Sequence, residues 1–361
     1  MKKEISTLLR PHYLDLEGYV SAGMEVEKND STIFLNANEN PFPLPGLEGL
    51  NRYPKPQPPE LALAYANAYG VDPDQIVMTR GADEALVVLT KLFCEPHKDA
   101  ILINPPTFGM YGVDARGAPA DVIEVPLVKN ENSYELDQTG IIEAASKPIV
   151  KLVYICSPNN PTGNSFDHVT VLGIAAALEG KAIVVVDETY AEFSKQSSIC
   201  EDLESAPNLI VLRTLSKSYA FAGMRMGCFI SGDKEFIALV KSKALDAYPL
   251  PQASIEAAFH VLSPEISEIA EENRQKLLSL RDDLIREFES SDQVVKVFET
   301  DANFFLVEMK DAKGFLKLCA ENNVILRDFS SKPLTENCLR ISIGTEEENE
   351  KLITLLKVFH G

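Results

Sequence analysis

Along this chain, short and solidly apolar runs alternate with longer stretches in which apolar residues recur every three or four positions. A solid run of four to eight apolar residues is the pattern of a strand covered on both faces, whereas the longer period marks a helix with one buried stripe. Residues 75–79, 100–103, 149–156, 182–186 and 209–212 therefore read as strands, with a helix over 82–93. This alternation predicts an α/β fold built on a mainly parallel, buried central sheet. Ahead of it, Pro41, Pro43, Pro45, Pro54, Pro56, Pro58 and Pro59 crowd one segment, which reads as an extended arm.

After Tyr248-Pro249-Leu250-Pro251 the pattern changes to charged helical stretches, the longest over 266–290. Strand-like runs at 294–298, 304–308 and 339–343 and helices at 312–322 and 346–360 complete a smaller α+β unit. The expected organisation is an N-terminal arm over 1–50 that contributes to the small domain and to a dimer interface, a large domain over 51–248, and a small domain over 249–361. No fixed-period repeat breaks this plan.

Composition narrows the partners. The 361 residues suit two domains, and a mean hydropathy of -0.05 with 24% charged residues is that of an ordinary globular protein. A net charge of -20 argues against nucleic acid or an anionic membrane surface, so any anionic ligand must be held by local donors. Cys94, Cys156, Cys200, Cys228, Cys319 and Cys338 form no C-x-x-C pair, and the histidines lack the short spacing of metal ligands. The expectation is buried, reduced thiols and no metal. Arg10 interrupts any apolar core of an export signal, and the apolar stretch at 61–71 is too short to span a bilayer. A cytoplasmic location is the default.

The candidate chemistry lies at strand ends, where open parallel sheets bind ligands. One run ends in Ser157-Pro158-Asn159-Asn160-Pro161-Thr162-Gly163, the next in Asp187-Glu188-Thr189-Tyr190, and a third in Arg213-Thr214-Leu215-Ser216-Lys217. Singly these have bland readings: a turn, a helix cap, a solvated lysine. Together they bring a carboxylate, a phenol, an amide and an amine to one place. Gly81-Ala82-Asp83 opens the helix over 82–93, whose free N–H groups suit a phosphate.

The order Asn160, Asp187, Tyr190, Lys217, Arg225 resembles the motif set of the fold-type I aminotransferases that use pyridoxal 5'-phosphate (PLP). More narrowly, Leu35 to Pro41, Asn51-Arg52-Tyr53-Pro54, Arg80 to Glu84, Ser157 to Gly163 and Leu339 to Thr345 resemble the histidinol-phosphate aminotransferase family, and the likeness covers nearly the whole chain. The resemblance implies Lys217 as covalent anchor and base, Asp187 against the pyridine nitrogen, Tyr190 and Asn160 at the phenolic oxygen, and Phe108 stacked on the ring where the family often has Tyr. It also implies a phosphate site of Gly81, Ala82, Asp83, Thr214, Ser216 and Arg225, completed by Tyr53 from the neighbouring subunit of a homodimer. Arg327 and Arg340 would hold the substrate's anionic groups, and Tyr19 would add a contact, although Gly18-Tyr19-Val20 departs from the family's Pro-Tyr context.

The implied reaction is transamination of histidinol phosphate with 2-oxoglutarate, giving imidazole acetol phosphate and glutamate. An aromatic amino-acid aminotransferase and a threonine-phosphate decarboxylase share the same motifs and stay open. A non-catalytic binding protein of this fold would not need both Lys217 and Asp187.

Overall fold

A computed structural model describes residues 5–18 and 33–360. Seven strands form one sheet, in the spatial order Ile76–Thr79, Gly227–Ser231, Leu209–Thr214, Ile183–Asp187, Val150–Cys156, Ala100–Ile103 and Asp121–Glu124. All neighbours are parallel except Gly227–Ser231, which runs antiparallel to both of its partners. The apolar runs form these strands because both faces are covered. Alternate side chains of one strand enter two different cores: Val184 and Val186 enter the first, Ile183 and Val185 the second. Helices Pro59–Tyr69 and His168–Ala177 supply Leu61, Tyr65 and Ile174 to the first core. Helices Gly81–Phe93, Met110–Gly117 and Lys234–Lys243 supply Leu86, Tyr111 and Phe236 to the second.

A second, wholly antiparallel sheet runs in the order Val294–Val297, Phe304–Met309, Cys338–Ser342 and Arg327–Asp328. It packs beneath Pro264–Glu289, Ala312–Glu321 and Glu346–Val358 through Leu284, Phe288, Phe315 and Leu352. Pro264 sits in the first turn of the longest helix, where its missing N–H costs no hydrogen bond, so the helix starts two residues ahead of its periodic pattern.

Two expectations change. Gln75 belongs to a 3-10 turn, Pro73–Gln75, and only Ile76 onward pairs. The described start of the arm does not join the small sheet: Ile5, Leu9 and Tyr13 are buried in the second core of the large one, where their apolar surface finds cover. Among the described residues no helix is long and apolar enough to cross a membrane.

Candidate active site

The three chemistry-bearing strand ends are neighbours in the large sheet. Cys156 pairs with Asp187, and Asp187 with Leu212, so the loops that follow leave the sheet side by side. Between them and the start of helix Gly81–Phe93 lies a cleft of ≈ 580 Å³. Asp187, Lys217, Tyr190, Asn160 and Phe108 line it, as do Ala82, Asp83, Thr214, Ser216 and Arg225.

Asp187 ends its strand on the cleft face and is buried. Tyr111 donates its O–H to Oδ2 at 2.7 Å, while the Thr189 hydroxyl and N–H donate to Oδ1 at 2.5 and 3.1 Å. Burial still pushes this carboxyl above the usual range, with the hydrogen bonds pulling back, so an ionised Asp187 calls for a cation in the cleft. Lys217 leans over the Tyr190 ring, its Nζ 5.6 Å from the centroid. Desolvation, and then the charge of Arg340, draws its amine below the ordinary lysine range and favours the neutral nucleophile. The Asn160 amide donates to Tyr190 Oη at 3.3 Å, and the Asn160 carbonyl accepts from Arg340 Nη1.

The opposite end of the cleft is cut for an anion. Helix Gly81–Phe93 presents its first turn there, beside Thr214 Oγ1 and Ser216 Oγ, which lie 3.0 Å apart. Gly81 has φ +77°, and a Cβ on it would come within 2.8 Å of Arg225 Nη2. A Cβ on Gly227 would lie 2.8 Å from the Arg213 carbonyl oxygen and 2.9 Å from the Gly81 carbonyl carbon. Two glycines thus let strand, helix start and guanidinium close around a small ligand. Arg225 is held by Asp83 at 3.0 Å. Phe108 meets Tyr111 edge to face with centroids 5.5 Å apart, which fixes its ring at the cleft wall.

Two expected residues, Tyr53 and Arg327, stand apart from the cleft. Tyr53 stacks on Tyr248 at 4.1 Å and is half exposed. Arg327 is exposed on the small sheet, opposite Arg340 in register. Tyr19 lies outside the described residues.

The family model for aminotransferase class I and II matches residues 44–356. A histidinol-phosphate aminotransferase of Haemophilus influenzae is 40% identical over 357 residues, covering 98% of this chain and 99% of its own. The chain belongs to the histidinol-phosphate aminotransferase family. A second relative, from Buchnera aphidicola, is 39% identical and covers 99% and 100% of the two chains. In three dimensions the enzyme resembles a Sinorhizobium meliloti histidinol-phosphate aminotransferase solved with pyridoxal 5'-phosphate, with a TM-score of 0.74 and 23% identity over 84% of this chain and 82% of that one.

This aminotransferase uses PLP, and its residues fit that cofactor. The amine, the buried carboxylate in need of a cation, and the anion cradle at the start of helix Gly81–Phe93 are the three features PLP requires, and they meet around one cleft. Sequence reasoning missed Tyr111 and Thr189, the partners of Asp187. Thr189 had a local signal, two residues after the carboxylate, whereas Tyr111 is 76 positions away on another helix and had none.

Proposed function

We propose that the enzyme transaminates histidinol phosphate with 2-oxoglutarate, yielding imidazole acetol phosphate and glutamate. The observation that carries this reading is the Arg340 bridge: a cation on the small sheet bonded to Asn160 inside the cofactor cleft, with Arg327 its cross-strand neighbour. Guanidinium forks suit both a phosphate monoester and the carboxylates of a dicarboxylic acid, so one pair serves both half-reactions. Bound PLP supplies an electron sink for the pair released when the substrate's C–H bond breaks. Lys217 would anchor the cofactor covalently and, once displaced by the incoming substrate amine, its freed amine, which desolvation favours in the neutral form, would take up the proton lost from the substrate carbon. Asp187 keeps a proton on the ring nitrogen and thereby gains the cation its burial demands. Tyr190 and Asn160 serve the phenolic oxygen, and Phe108 covers the ring. The helix start at Gly81, Ala82 and Asp83, with Thr214, Ser216 and Arg225, holds the phosphate.

The reading extends to the assembly. Tyr53 is half exposed and stacked on Tyr248, in a segment that also exposes the apolar side chains of Leu35, Phe42 and Leu44. Such a segment supports a homodimer in which Tyr53 serves the other protomer's phosphate site, and Tyr19 is assigned a substrate contact. Six free, buried cysteines are in keeping with a reducing, cytoplasmic home; the two sheets lie on either side of the proposed division at 248/249, while Leu250, Ile255 and Ala258 beyond it pack into the first core of the large sheet.

The test is product analysis. Glutamate should form from histidinol phosphate and 2-oxoglutarate, faster than from aromatic amino acids. Carbon dioxide from O-phosphothreonine with no glutamate would instead select a decarboxylase.

A further inference from the structure

Behind the cleft lies a buried ionic group that the reaction does not use. Asp187 and Glu188 are consecutive, and strand geometry sends them to opposite faces of the sheet. Asp187 enters the cleft, while Glu188 enters the rear core that contains Tyr65 and Tyr69. On the adjoining strand the same parity separates Thr214, at the cleft, from Arg213 behind it. Arg213 Nη1 donates to Glu188 Oε2 at 2.8 Å and its Nη2 to Glu192 Oε1 at 2.8 Å; each of the three side chains is less than a tenth exposed. The guanidinium lies over the Tyr69 ring, 4.4 Å from the centroid. Ile199 N–H fixes the other oxygen of Glu188 at 2.8 Å, and Ser198 Oγ ties Glu188 to Arg213.

Glu188 directly follows Asp187, the two carboxylates bracket Tyr190, and the cation sits four residues before Lys217. We propose that Arg213, through Glu188 and Glu192, is a positioning residue for the cofactor: it clamps the Asp187–Tyr190 segment from behind and sets its distance to the loop that presents Lys217. A single fork reaching two partners on either side of a turn removes the turn's freedom to rotate, which one hydrogen bond cannot do. Two buried carboxylates share one cation, and Glu192 Oε2 has no hydrogen-bond partner among the described residues. Burying an excess charge is a cost that packing alone does not require, as expected of a group kept for placement.

The clamp rests on Lys217 and Asp187 holding PLP, and the experiment separates the two. Arg213→Lys keeps the charge and loses the fork. In this variant, loaded with PLP, cofactor loss should quicken about tenfold. The pH midpoint of the visible absorbance should move, and kcat should fall about tenfold with KM nearly unchanged. A folded Arg213→Lys protein with wild-type cofactor retention, absorbance midpoint and kcat overturns the proposal, even if its thermal midpoint has dropped. Should that variant not fold, Glu192→Gln keeps the shape and removes the surplus charge. It should move the same two cofactor readouts, cofactor retention by about threefold, and unchanged values overturn the proposal. A visible band that survives Lys217→Ala overturns the cofactor site itself, and the clamp with it.

Discussion

Asp187 and Arg340 are both charged groups taken largely out of water, yet they are held in opposite ways. Asp187 is fixed by three donors from helix Met110–Gly117 and its own loop, and both of its oxygens are engaged. Arg340 comes from the second sheet and meets the cleft through Asn160, and its Nε finds no hydrogen-bond partner among the described residues. Its neighbour Arg327 stays exposed. The floor of the cleft is therefore organised before anything binds, as a cofactor that stays through every cycle requires. The mouth keeps free donors on an element that the relative placement of two sheets controls, as substrates that alternate require.

If the floor is the fixed part, its loss should be the most damaging. Lys217→Ala should lower turnover by about 10⁴-fold or more and abolish the visible absorbance of the loaded protein, read by stopped-flow and spectrophotometry. Asp187→Asn should cost about 10²- to 10³-fold in kcat. It should also stabilise the cofactor-free protein. Because the folded-state pKa of Asp187 is raised, ionisation disfavours the fold as pH climbs above the ordinary carboxylate range. The gain in thermal midpoint from Asp187→Asn should thus be largest near neutrality and shrink towards pH 4; a gain constant across pH would contradict the burial argument.

At the mouth, Arg327→Lys keeps the charge and loses the fork. KM for both substrates should rise about tenfold while kcat changes little. A kcat effect larger than the KM effect would erase the distinction between floor and mouth. A smaller effect joins the two regions: Arg340 lowers the pKa of Lys217, so Arg340→Gln should move the pH midpoint for capture of PLP by the cofactor-free enzyme upward, followed by absorbance. Least dramatic for chemistry, Gly227→Ala should destabilise the fold by about 1–3 kcal/mol through overpacking against the helix start, measured by denaturant unfolding.

The contrast also explains what was legible in the sequence. Val150–Cys156 and Leu209–Thr214 stand out because burial on both faces makes Leu152–Cys156 and Leu209–Leu212 solidly apolar, and the polar residues that follow these runs are conspicuous for the same reason. The reading 182–186 sits one residue ahead of Ile183–Asp187, since a carboxylate looks like the start of a loop although the ladder runs through it to Cys156 and Leu212. Gly227–Ser231 was missed: Gly, Cys and Ser make a weak strand signal, and the antiparallel insertion is dictated by its two neighbours. Asp121–Glu124, an edge strand bracketed by acids, is half wet and shows no solid run. The rear group of Arg213, Glu188 and Glu192 had no signature beyond charges beside a motif, because what makes it special is burial, which only the packed chain reveals.

The back-to-back placement of Asp187 and Glu188 has an evolutionary consequence. Deleting or inserting one residue in Ile183–Asp187 would turn each of the two acids to the opposite face of the sheet. Neither would reach its partner properly, so a single slip disables both sides of the sheet at once. Length variation among descendants of this chain should accordingly be purged from that strand and collect in exposed connections such as 331–333.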